Sequence, residues 1–316
     1  MSQASAPGKI ILFGEHAVVY GQPALAVPVT QVHADVEIET ASRPGIWIDA
    51  PDIDLRANLD ALASSHPIAA TVVNTFSALG ISPHPLPLFL RERGLNIRIT
   101  SSIPVASGLG SGAAVSVALI RALAQHLSQP LTAEQVSAIA YETEKLHHGT
   151  PSGIDNTVVT YARPVYFIKG QSIETFRVGK PFTIVIGDTG VSASTRESVG
   201  DLRRLWEQDK AKYEARFAAV GSLVRTARQL IENGQPEMLA PLMDENHELL
   251  QEMTVSSSEL DRLVKAAKDA GALGAKLSGG GRGGNMIALA LATKAGTVAK
   301  ALREAGAVNT IITRIS

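Results

Sequence analysis

Apolar and polar residues alternate at Val32, Ala34, Val36 and Ile38, the two-residue period of a half-buried strand. The same alternation at Leu95, Ile97 and Ile99 predicts a second one. Residues 9–13 read as a short apolar strand opened by Lys9 and broken by Gly14-Glu15-His16. Residues 17–29 are apolar but punctuated by Gly21, Pro23 and Pro28, which predicts turns and short strands. The 46–48 segment is the expected hairpin partner of the 32–38 strand. Helical patterns cover 67–79, ending at Gly80, then 113–127, free of glycine and proline, and 132–148, with Thr132 as its cap. A proline-rich connection spans 83–87. Residues 157–161 and 165–168 predict a hairpin around Arg163-Pro164, and 182–186 a strand. From 194 to 273 the pattern is helical, with breaks near Gly234 and Ser256. Segment 275–277, a glycine run, a strand at 286–291, a helix at 293–304 and a strand at 308–315 complete the chain. Strands crowd the first half and helices the second. That predicts two α+β domains, 1–180 and 181–316, meeting near residues 180–190.

The 316 residues are 45% hydrophobic but only 4% aromatic, so Ala, Val, Leu and Ile must fill the core. A formal net charge of −1 with no basic block argues against a nucleic-acid surface. The absence of cysteine excludes disulfides, thiolate metal sites and thiol catalysis. Residues 1–8 lack the basic-then-apolar pattern of a signal peptide, and no apolar run reaches membrane-spanning length. A cytoplasmic protein without a membrane partner is expected.

The 95–99 strand and the 113–127 helix flank Pro104-Val105-Ala106-Ser107-Gly108-Leu109-Gly110-Ser111-Gly112-Ala113-Ala114. A strand, a Gly/Ser turn and a helix start suit an anion, because the first helical amides lack intrahelical partners and the dipole favours negative charge. A flexible connection with a helix cap is the plainer alternative. A Walker loop is excluded, since no Lys-Ser or Lys-Thr follows the last glycine. Gly108, Gly110 and Ala113 match the dinucleotide fingerprint in letters, but a second helix rather than a strand follows. No His-Arg-Asp or Asp-Phe-Gly of a protein kinase occurs.

Other candidate groups each carry two readings. Lys9 is a functional cation or a solvated strand end. Glu15 orients His16, or the two act on a ligand. Glu144, on the 132–148 helix, is a ligand or a solvated surface acid. Asp155, in Gly149-Thr150-Pro151-Ser152-Gly153-Ile154-Asp155-Asn156, takes a proton or holds a cation, or closes an Asx-turn. Ser192, Ser194, Thr195 and Arg196 precede a helix and read as a capping cluster. The run Ser278-Gly279-Gly280-Gly281-Arg282-Gly283-Gly284 closes over a ligand, or is a linker.

Taken together, the segments 9–21, 108–114, 151–156 and 278–284 resemble the ordered motifs of the GHMP small-molecule kinases. Among these the chain is most similar to the mevalonate kinases. The resemblance runs from Pro7 to about Leu289. It implies an α+β fold of two domains, the N-terminal one like ribosomal protein S5 and the C-terminal one ferredoxin-like, with a cleft between them. It implies transfer of the ATP γ-phosphoryl group to the 5-hydroxyl of (R)-mevalonate, with Mg²⁺, in isoprenoid precursor synthesis. Asp155 would be the catalytic carboxylate and Lys9 the cation that lowers the hydroxyl's pKa. Glu15, His16 and Thr195 would bind the acceptor. Pro104, Ser107, Gly108, Leu109, Gly110, Ser111, Gly112 and Ala113 would bind ATP, and Glu144 and Ser111 would hold Mg²⁺. ATP and mevalonate are the expected partners, without nucleic acid, in a homodimer.

Two positions depart from the family pattern. Gly112 stands where a second serine hydroxyl commonly reaches the metal, and Arg282 stands where a glycine is usual. Arg282 contacts phosphate or points to solvent. Three other readings remain open: a kinase for another alcohol such as phosphomevalonate or a sugar, a non-catalytic ligand sensor, and the decarboxylase branch of the superfamily.

Overall fold

In the structure, a computed structural model, residues 1–82, 93–104, 107–148, 151–172 and 174–316 are described. The proline-rich connection at 83–87, Val105-Ala106 and Gly149-Thr150 lie outside them. Two compact units form, each from several segments: Met1–Gly8, Val32–Val105 and Gly110–Ala162 in the first, and Lys9–Gln31, Ala106–Leu109 and Arg163–Ser316 in the second.

Strands β1 (Ser2–Phe13) and β2 (Ala24–Thr40) each pass from one unit into the other. Both exceed the sequence expectation. Lys9 does not open β1 but lies inside it and is only 4% exposed. Pro28 sits within β2, which continues through it.

In the first unit, β3 (Ile46–Ala50), β4 (Leu55–Asn58) and β5 (Leu95–Ser101) extend the sheet in the order β4-β3-β5-β2. Val36 faces Ile99 and Ile38 faces Ile97 across antiparallel β2–β5, whereas β3 runs parallel to β5 with Ile48 beside Ile97. The 46–48 segment is therefore not the hairpin partner of β2. The amides of Gly94 and Leu95 donate to Arg43 O and Gly45 O, and Ala41 donates to Gly94 O, so the start of β5 occupies the place beside β2. Alternation reports which face is buried, not which strand is the neighbour.

Four helices pack together in this unit: α1 (Pro67–Ala78), α2 (Ser111–His126), α3 (Ala133–His148) and α4 (Ile154–Tyr161). The hydroxyl of Thr71 meets those of Ser116 and Thr143 at 3.2 and 3.3 Å, a buried polar seam joining α1, α2 and α3. Thr132 and Gln135 form a reciprocal capping pair at the start of α3, as its sequence predicts. The expected hairpin over 157–168 is absent, because 154–161 is helical and only β6 (Val165–Phe167) is a strand. The β-branched run Thr157-Val158-Val159-Thr160 misleads. Val158 and Val159 are fully buried, and Thr157 turns its hydroxyl back to Gly153 O at 2.6 Å, so packing and an i−4 bond override strand propensity.

In the second unit, β6 pairs with residues 24–26 of β2 and with β7 (Glu174–Thr175). A separate antiparallel sheet has the order β11-β8-β10-β9, from β8 (Phe182–Asp188), β9 (Gly274–Ser278), β10 (Asn285–Ala290) and β11 (Asn309–Ile315). Helices α5 (Thr195–Gln208), α6 (Lys210–Glu232), α7 (Leu239–Glu252), α8 (Ser258–Asp269) and α9 (Ala295–Glu304) complete it. The predicted breaks near Gly234 and Ser256 are present. A further one at Asp209 is made by its carboxylate capping Lys212 N. Among the described residues no helix is long and apolar enough to cross a membrane.

Candidate functional site

In the second unit, the end of β1, residues 107–109 and the glycine run between β9 and β10 are bonded together. Lys9 N donates to Leu109 O at 2.9 Å, Ser278 Oγ to Ile11 O at 2.8 Å, and Asn285 Nδ2 to Ser107 O. The Gly14-Glu15-His16 turn follows β1. Gly14 has φ +99°, and a Cβ there would lie 2.5 Å from Ala24 Cα, so only glycine fits. His16 also holds a positive φ, of +60°.

Glu15 is paired with Lys276 of β9, and both side chains are 0% exposed. Lys276 Nζ also donates to Leu277 O at 2.6 Å and lies 5.9 Å from the Phe13 ring centroid. Burial pushes the Lys276 ammonium below its usual range, and Glu15 opposes that shift. His247 of α7 braces the same strand. Its Nδ1 accepts from Leu277 N at 3.3 Å, and its Nε2 lies 3.2 Å from Asp261 Oδ1.

His16 Nε2 lies 3.1 Å from Gly280 O. A carbonyl only accepts, so Nε2 carries the proton and Nδ1 a lone pair. Burial, helped by the positive charges of Arg282 and Lys276, lowers the His16 pKa to about 4 against the Gly280 bond, so the ring is neutral at pH 7. His16 Nδ1 and Glu15 Oε2 are buried and have no hydrogen-bond partner among the described residues. Two adjacent acceptors on one rigid turn suit a ligand that brings hydroxyl donors.

Thr195 is the first residue of α5, whose cap is Ser194, with Oγ accepting from Glu197 N at 3.3 Å. A Cβ on Gly280 would lie 2.5 Å from Thr195 Oγ1, so the glycine run and the start of α5 are in close contact. His16 and Thr195 thus meet the same residue of that run.

In the first unit Ser111, Gly112, Ala113 and Asp155 sit on helix starts. Gly110 precedes α2 and Gly153 precedes α4, both left-handed. Ser111, Gly112 and Ala113 form the first turn of α2, where unpaired amides favour an anion. Pro104, partly exposed, follows β5 at the edge of the described residues. Asp155 lies in the first turn of α4, not on an irregular loop before a strand. Asn156 Nδ2 donates to Ser137 Oγ at 2.9 Å and O at 3.1 Å, and Tyr141 OH donates to Pro151 O at 3.3 Å, fixing that turn against α3. Glu144 lies one turn beyond Tyr141 on α3 and is 8% exposed, so it is not a solvated surface acid.

Lys276, Asn285 and Asp201 were not among the sequence candidates. Lys276 had a signal, a lone charge inside an apolar strand pattern. Asn285 directly follows the glycine run. Among the described residues no group of three or more His, Asp or Glu side chains is arranged to hold a metal, and the chain has no cysteine. Mg²⁺ fits this sparse set of hard oxygen donors, because it binds through one or two carboxylates together with substrate phosphates and water.

The family model for the GHMP kinases N terminal domain matches residues 69–163, and that for the GHMP kinases C terminal matches 227–308. A mevalonate kinase of Pyrococcus abyssi is 39% identical over 99% of this chain and 95% of its own length. Among solved structures, L. major mevalonate kinase in complex with R-mevalonate superposes with a TM-score of 0.86 at 28% identity, covering 100% of this chain and 96% of that one. The Methanococcus jannaschii mevalonate kinase does so with a TM-score of 0.83 at 25% identity, covering 99% and 96%. With the ordered motifs placed on this mixed α/β fold of two domains, the chain belongs to the GHMP kinase family.

Proposed function

We propose that this chain transfers the γ-phosphoryl group of ATP to the 5-hydroxyl of (R)-mevalonate. The observation that carries the acceptor is the Gly14-Glu15-His16 turn. Its two buried acceptor atoms, which have no hydrogen-bond partner among the described residues, suit the hydroxyls of a small polyol-like acid. Near-full-length similarity to proteins named mevalonate kinase supports the same reading.

Each residue then has a role. Asp155, on the pinned first turn of α4, accepts the hydroxyl proton as the oxygen attacks phosphorus. Lys9, held in β1, neutralises charge that develops on the attacking oxygen. Amides from Ser107 to Ala113 bind phosphate oxygens. His16 accepts through Nδ1, Glu15 through Oε2, and Thr195 offers a hydroxyl. Glu144 and Ser111 would hold Mg²⁺, which neutralises phosphate charge when bound. Gly112 has no side-chain oxygen to offer such an ion, and water would supply that ligand.

Phosphorus NMR of products from a panel of mevalonate, phosphomevalonate and galactose tests the acceptor. A phosphomonoester appears with mevalonate alone. Faster product formation from either of the other two overturns the assignment, and binding of ATP and mevalonate without product identifies a sensor.

A further inference from the structure

In the 278–284 run Arg282 is the single long side chain among glycines, and it holds φ +58°. L-residues keep that conformation only where their surroundings compensate. Here the compensation is visible. The Arg282 guanidinium donates to the Asp201 carboxylate, Nε donates to Thr254 O at 3.3 Å, and the backbone N–H donates to Val255 O at 2.9 Å. Thr254 and Val255 follow α7, and Asp201 lies on α5. The Arg282 charge is engaged by Asp201, a carboxylate on α5 that neither reading of the sequence named. The hydrogen bond from Arg282, with Arg204 adding to it, holds the Asp201 carboxyl below the usual range. Both partners are 32% exposed, so the pair lies outside the core and within reach of salt.

Its location gives it leverage. Two residues before Arg282, Gly280 meets both His16 and Thr195. Arg282 therefore fastens the run to the same helix whose first residue is Thr195. We propose that Arg282 is a positioning residue: with Asp201 it fixes the glycine run against α5, and so sets where His16 and Thr195 meet the acceptor. This rests on the acceptor role given to those two residues above.

R282G, R282K and D201N test it. R282G suits the backbone conformation and deletes the tether, together with a positive charge that lowers the His16 pKa, which leaves His16 neutral at pH 7. In R282G the KM for mevalonate rises about tenfold, the KM for ATP stays within about twofold and kcat within about threefold. R282K, which keeps the charge, recovers part of the loss, and D201N falls between R282G and wild type. Raising NaCl from about 50 to about 500 mM increases the wild-type mevalonate KM and leaves that of R282G flat. Hydrogen exchange at residues 279–284 is several-fold faster in R282G. An unchanged mevalonate KM in R282G, equal rises in both KM values, or R282K no better than R282G overturns the proposal. If the wild type makes no ADP with mevalonate, the acceptor reading fails by itself. Unchanged exchange in R282G then overturns the tether as well.

Discussion

The two units hold their candidate residues by different means. In the first unit Ser111, Gly112, Ala113 and Asp155 occupy helix starts, each preceded by a left-handed glycine, so backbone geometry places them. In the second unit Lys9, Glu15, His16 and Thr195 depend on long-range partners: Leu109, Lys276 and Gly280, which lie between 85 and 264 residues away. The first arrangement is local and tolerant of changes that keep the helix start. The second is a network with buried charge, in which losing one partner exposes the other to an uncompensated low-dielectric environment.

The largest expected effect is catalytic and falls in the first unit. Asp155→Asn lowers turnover by roughly 10²–10⁴, the scale of a positioned acid–base group, with ATP binding and melting temperature nearly unchanged. Near-normal turnover of that variant would remove Asp155 from the chemistry. Lys9→Met also lowers turnover. Because Lys9 is buried inside β1, methionine retains the apolar packing of its stem, and soluble folded protein is expected.

The largest expected stability effect falls in the second unit. Lys276→Met leaves Glu15 buried without its cation, a loss of about 3–5 kcal/mol. Urea unfolding of the variant measures it. A change below about 1 kcal/mol would mean that the pair does not hold the turn. Next comes pH. His16 titrates near 4 when folded and near 6.5 when unfolded, so between these values the unfolded chain binds more protons. Its contribution, about 3 kcal/mol, is complete above pH 6.5 and is lost as pH falls toward 4. His16→Asn should flatten the difference in unfolding free energy between pH 7 and pH 4.5. An equally steep dependence in the variant would assign that slope to other groups.

The smallest effects are at the metal. Gly112 lies in α2 without a positive φ, and a Cβ there meets nothing within 4 Å. Gly112→Ser is therefore tolerated and lowers the Mg²⁺ requirement by a few-fold at most. Glu144→Gln raises the free Mg²⁺ needed for half-maximal rate. Rate against free Mg²⁺ checks both, and an unmoved curve for Glu144→Gln would remove that residue from the metal shell.

The same contrast explains what the sequence revealed. Alternation, glycine punctuation and capping residues are local, and they marked β2, β5, α1, α2, α3 and the breaks between the later helices. The ordered glycine-rich motifs marked Lys9, His16, Ser107 and Asp155 as candidates. Non-local facts stayed hidden. Thr157–Thr160 has strand propensity but is helical, because its valines are buried among helices. The 46–48 strand pairs with β5, which is nearly fifty residues away. Nothing in the sequence shows that Lys276 neutralises Glu15, or that Arg282 is engaged by Asp201, since each partner lies on a different element.

The most direct measurement is the rate of ADP formation from Mg²⁺-ATP by the wild-type protein with and without (R)-mevalonate. A rate that depends on mevalonate and saturates with it, and that collapses in Asp155→Asn, is the predicted result. A mevalonate-independent rate, or none at all in folded protein that binds both ligands, would contradict it.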